Sequence, residues 1–168
     1  MIESIPLILT GIGIIISILY YTSVLKNANK TQQMQLETRQ GQLIMQVYNK
    51  FSSIEMGNAY QKFQEVSKQI ETPDDLLTKW IKHPENTKFM WLMGTFFEGV
   101  GVLVKENLLD IRLVAELMTE PTASYWGLFA PHIEEVRKRE NAPRMIAETE
   151  YLYNTLTKYA EEHPELAT

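Results

Sequence analysis

One carboxylate stands out of place in this chain. Glu98 lies within Phe96-Phe97-Glu98-Gly99-Val100-Gly101, part of a run from Lys88 to Lys105 that is otherwise apolar nearly all round. Desolvation penalises a charge, so a carboxylate among such neighbours has to be paired, hydrogen-bonded or protonated. Two kinds of chemistry fit it. It could be an acid, base or ligand in a pocket, or half of a buried ion pair that locks two helices in register. The basic run Arg137-Lys138-Arg139, followed by Arg144, offers partners, and Arg137 comes one position after the apolar Val136. No second acid, nucleophile or metal motif accompanies Glu98, so the expectation is a structural pair of Glu98 with Arg137.

Other familiar chemistries lack their residues. There is no cysteine among the 168 residues, which excludes disulfides, thiol nucleophiles and Cys-ligated metal or iron–sulfur sites. Gly94, Gly99 and Gly101 fall inside a helical pattern and match neither a P-loop nor a dinucleotide fingerprint. No G-x-S-x-G elbow and no H-E-x-x-H zinc helix occurs. A carboxylate-bridged di-iron bundle needs Glu-x-x-His on two helices. Of the three histidines only His132 has acids close by on a helix, and a lone histidine beside solvent-facing glutamates reads as surface. No catalytic, cofactor or metal residue is expected. The net charge of −5 argues against nucleic acid as a partner.

The elements that must position Glu98 are helices. From Ile5 to Leu25 the chain carries no charge over 21 residues, about 31 Å as a helix, which suits the hydrocarbon thickness of a bilayer. A cleaved signal peptide would need a positive n-region and a small-residue cleavage site, and neither occurs. Residues 1–28 are therefore expected to form a transmembrane anchor. Lys26, Lys30 and Arg39 follow the span and no Lys or Arg precedes it, which places the amino terminus outside and the rest in the cytoplasm. Thr10, Gly13, Ser17 and Val24 share one stripe of that helix, a face on which two backbones could approach.

Residues 29–56 read as a juxtamembrane helical stalk. Leu36, Leu43, Val47 and Ile54 recur on one face, and Ile44, Tyr48 and Phe51 widen it. Residues 57–168 show no strand alternation or hairpin signal and are expected to form a bundle of about six helices. Tyr60, Phe63, Val66 and Ile70 mark the first. Thr72-Pro73-Asp74-Asp75 starts the next with Thr72 as N-cap, and His83-Pro84 ends it. The run around Glu98 forms a central helix, because a carboxylate in its middle would be costly in lipid. A short helix from Leu108 to Met118 capped by Asp110 follows. Pro121 then opens another, kinked at Pro131, and Pro143 starts the last. The net charge is +1 over residues 1–56 and −6 over 57–168.

Three stretches together carry a resemblance: Phe96-Phe97-Glu98-x-x-Gly101-x-Leu103-Val104, Leu109-Asp110-x-x-Leu113-Val114, and Tyr125-Trp126-x-x-x-x-Pro131-x-Ile133-x-x-x-Arg137. From about Leu36 to Leu156 the chain resembles a family of small prokaryotic proteins in which an N-terminal membrane helix precedes a helical domain of unknown function. The resemblance implies an architecture in which Glu98, Trp126 and Arg137 are fixed points, with Phe97 and Pro131 as further anchors. It implies no substrate, cofactor or reaction. Glu106-Asn107 departs from it, since related chains often have a glycine before the position of Leu108.

Two functions are open on these residues. One is a membrane-tethered interaction or accessory protein, with the lipid bilayer as one partner and a protein as another, or self-association through the membrane helix or stalk. The other is a small membrane-bound enzyme or ligand sensor with a pocket around Glu98.

Overall fold

A computed structural model describes the backbone of residues 4–166 and the side chains of residues 14–165. The described residues include seven α-helices and no strand. They are α1 (Ser4–Phe51), α2 (Ile54–Ser67), α3 (Pro73–Asp75), α4 (Thr87–Lys105), α5 (Ile111–Phe129), α6 (Ile133–Arg139) and α7 (Ala147–Glu162). The chain divides into two compact units, Met1–Gly41 and Gln42–Thr168.

In the first unit the described side chains are exposed along nearly their whole length, and Thr22, Thr31 and Thr38 return their hydroxyls to the carbonyl four residues back. No helix among the described residues is long and apolar enough to cross a membrane. Thr10 and Gly13, on the expected small-residue face, lie outside the residues whose side chains are described, while Ser17 is exposed.

The helical bundle starts earlier than the expected residue 57. Ile44 and Val47 are already buried, so the end of α1 belongs to the bundle's core. Ser53 breaks the helix by capping α2, its hydroxyl accepting from the Met56 N–H. Thr72 caps α3 as expected and forms a reciprocal capping box with Asp75. The chain then widens into a π-helical turn over Leu76–Ile81, which turns Leu76, Leu77 and Trp80 inward.

An aromatic chain fills the centre. Phe97 is fully buried and stacks on Tyr125 at 4.7 Å; Tyr125 also meets Phe63 at 5.4 Å and Phe129 at 5.1 Å. Phe63 in turn stands edge-on to Trp80 at 5.8 Å. Side chains this large dominate core energetics through area and through their offset geometry.

Three helix boundaries differ from expectation, each for a physical reason. The expected short helix ending at Met118 and the one opening at Pro121 are a single helix, α5, with Pro121 inside it and Asp110 as its N-cap. An interior proline forfeits one backbone hydrogen bond. Burial of the large side chains of Met118, Tyr125 and Trp126 along the same helix outweighs that loss. Pro131 does not kink a helix; it sits in the turn at residues 130–132 that separates α5 from α6. Pro143 likewise starts a turn over residues 143–146, and α7 begins only at Ala147.

Candidate functional site

The geometry around Glu98 is set by where α4 meets α7. A helix start leaves its first N–H groups without intrahelical partners, and a Ser, Thr, Asp or Asn at the N-cap normally supplies an acceptor. In α7 the N-cap is Ile146, which has no side-chain oxygen and lies in the left-handed region at φ 49°. Glu98 supplies the missing acceptor from another helix. Its Oε1 accepts from the Thr149 backbone N–H at 2.7 Å and from the Thr149 hydroxyl at 2.8 Å. The carboxylate is half-buried and Thr149 is fully buried. Negative charge at a helix N-terminus is also favoured by the aligned peptide dipoles.

This arrangement corrects the expected pairing of Glu98 with Arg137, which the structure does not bring together. The negative charge is met by a helix start, so it needs no guanidinium. Arg137 instead braces the same helix start from α6. Its Nε and Nη2 donate to the Met145 carbonyl at 3.1 and 3.0 Å, Nη2 to Glu150 at 2.7 Å and Nη1 to Glu134 at 3.0 Å. Only 11% of its side chain is exposed. The last carbonyl before Ile146 and a carboxylate in the first turn of α7 are thereby held from one side, and Thr149 from the other.

A third contact fixes the spacing of the two helices. A Cβ on Gly101 would stand 2.2 Å from the Glu148 carbonyl oxygen and 2.7 Å from its carbon, so the backbones of α4 and α7 touch where only glycine fits. Beside it Lys105 donates to both oxygens of the Glu148 carboxylate, at 3.2 and 2.9 Å, and Arg144 adds a bond at 2.9 Å. The Lys105 ammonium is the chief reason that Glu148 ionises below its ordinary range.

On the inner side of the joint lies the Tyr125 hydroxyl. Burial first, and the negative charge of Glu98 second, raise its phenol well above the ordinary tyrosine value, so it stays neutral. The Trp80 N–H acts in the opposite direction, yet neither it nor the Tyr125 hydroxyl meets hydrogen-bond geometry with any partner among the described residues. Thr122 Oγ1, one turn before Tyr125, is buried in the same condition. With both donors of Thr149 on one oxygen of Glu98, the arrangement ties α4 to the start of α7 as a structural joint.

Of the other expected anchors, Trp126 is buried and tilted against Tyr153 at 6.3 Å, while Phe97 lies in the aromatic chain beside Glu98. Pro131 lines a groove of about 290 Å³ with Phe63, Gln64, Ser124 and His132, and Glu98 does not border it. Among the described residues no three His, Asp or Glu side chains gather as a metal site would require.

Sequence reasoning missed Thr149, Ile146 and the Gly101 contact. No local signal marks the start of α7, because Pro143 is the stronger start signal and Ile146-Ala147-Glu148-Thr149 carries no capping residue before the helix. No curated protein and no solved structure matches the chain. The chain belongs to the DUF4760 family, a domain of unknown function, which matches it over residues 7–156.

Proposed function

We propose that the protein is a membrane-tethered helical interaction protein, in which the anchor is the uncharged stretch Ile5–Leu25 and the working part is the acidic bundle. The observation that carries the tether is that stretch itself, 21 residues without a charge followed by Lys26 and Lys30. Within the bundle, the commitment of Glu98 to the start of α7 supports an interaction role over a catalytic one, because the one conspicuous carboxylate already has a structural task. The positive residues after the stretch favour a bundle on the cytoplasmic side.

Membrane fractionation of cells expressing the full chain tests the tether. The protein is expected in the membrane pellet after high-salt and alkaline carbonate washes and in solution only after detergent. Full-length protein released by carbonate alone defeats the tether. Loss of all pelleting when Ile14, Ile15 and Ile16 are replaced by Asp, with the helical circular dichroism of the chain retained, is the matching positive result.

A further inference from the structure

Between Lys88 and Lys105 the side of α4 that faces away from the core carries one charged residue, the half-buried Glu98, whose Oε1 is bound by Thr149. Trp91, Thr95, Gly99 and Val102 recur at spacings of four, four and three on one stripe, flanked by the half-buried Leu92, Phe96 and Leu103. Trp91 is 62% exposed and Val102 44% exposed. A tryptophan that open to solvent in a contiguous apolar stripe marks an interaction surface. Gly99 leaves the middle of the stripe open, its Cβ position meeting nothing within 4 Å, as at Gly41, Gly57 and Gly127.

Charge at the two ends of the stripe identifies the occupant. Lys88 closes it at the amino end and Glu106 follows α4 at the other, both exposed, on the same helical line as Thr95 and Gly99. Neither forms an ion pair among the described residues. Two α4 helices laid antiparallel about a twofold axis beside Phe97 place Lys88 of each against Glu106 of the other. The same register sets Thr95 opposite Gly99, where small side chains allow close approach, and Trp91 opposite Leu103 with Val102 adjacent. Self-complementarity of this kind is what a twofold interface demands of a single patch. We infer that a second copy of this chain packs antiparallel on the outer face of α4, with Trp91 as its anchor. This deepens the interaction reading above and rests on it, by naming one partner; it does not depend on the tether.

The test uses the full chain in mild detergent, with mass measured by light scattering after size exclusion. The expected mass, corrected for detergent, is twice 19.5 kDa. Trp91→Glu should weaken the dimer about a hundredfold, because a central buried tryptophan dominates such contacts. Its circular dichroism and melting should stay unchanged, since the side chain is exposed in the single chain. Lys88→Glu should weaken the dimer about tenfold, the like-charge contact occurring twice by symmetry. Adding Glu106→Lys should restore most of the loss, a rescue that only the antiparallel register provides. The chain has no cysteine of its own, so a mixture of Thr95→Cys and Gly99→Cys chains should give disulfide-linked dimers in higher yield than either alone. A monomeric wild type, a dimer that survives Trp91→Glu, or a charge reversal without rescue each overturns the proposal. A monomer that still resists carbonate extraction overturns the dimer and leaves the tether standing, whereas a dimer released by carbonate does the reverse.

Discussion

Thr149 gives both its backbone N–H and its hydroxyl to one oxygen of Glu98, at 2.7 and 2.8 Å, so a carboxylate on one helix caps the start of another. The two residues are 51 positions apart, and the bond closes the bundle where α4 and α7 meet. Three features converge on this joint: the cap from Glu98, the brace from Arg137 and the backbone contact at Gly101.

Removing the acceptor leaves two buried donors without a partner, at about 1–3 kcal/mol for such a group. Glu98→Ala should therefore destabilise the bundle by about that amount, and Glu98→Gln by less, since its amide oxygen still accepts. Thr149→Val removes only the hydroxyl donor. A double-mutant cycle of urea unfolding with Glu98→Ala and Thr149→Val should show coupling, the pair costing less than the two single changes together. Strict additivity would mean that the hydroxyl contributes independently of Glu98.

Gly101 and Gly57 should respond to alanine with opposite signs. At Gly101 the new methyl group meets the Glu148 carbonyl at 2.2 Å, and the helices must separate, at about 1–3 kcal/mol of overpacking. Gly57 lies exposed in α2 with nothing within 4 Å of its Cβ position, so alanine should stabilise by about 0.5–1 kcal/mol through helix propensity. Thermal unfolding of the two variants in parallel checks both; a stabilised Gly101→Ala would show that the helices are not held at that distance.

Arg137→Met should loosen the turn before α7 more than any other part of the bundle. The change deletes both bonds to the Met145 carbonyl and the bond to Glu150, at about 1–3 kcal/mol. Amide hydrogen exchange should accelerate at residues 147–150 before it does in α4. Uniform acceleration through the bundle would indicate a global loss of stability without a local brace.

Acid stability should depend on Asp75. Its carboxylate is held at about 2, below the reference 3.8, first by the Lys79 ammonium at 2.7 Å, then by the Glu71 backbone N–H and the Thr72 hydroxyl. A lowered pKa means that folding favours the charged form. The resulting stability is present above the unfolded value and is lost as pH falls from 3.8 toward about 2. Asp75→Asn should lower the melting temperature at neutral pH, and the gap to wild type should close across that acid window. A gap that stays constant down to pH 2 would assign the effect to shape and not to charge.

Local chemistry decided much of this protein without help from the tertiary structure. Thr72, Pro73 and Asp75 start a helix, and Asp110 caps one, because a cap needs only the next few residues. Phe63, Val66, Trp80 and Leu152 read as core from periodicity, since a helix shows its buried face in its own spacing. The misplaced Glu98 was visible for the same reason, as one residue contradicting the face around it. What it touches was not visible. An apolar-helix carboxylate asks for donors, and a guanidinium or a bare helix start answers equally well until the helices are laid side by side. Only packing decided that α7 begins at Ala147 with no cap of its own and that α5 runs through Pro121, because burial outweighs a local rule there. Packing likewise set the Gly101 backbone against Glu148, a contact between distant segments that no spacing along the chain encodes.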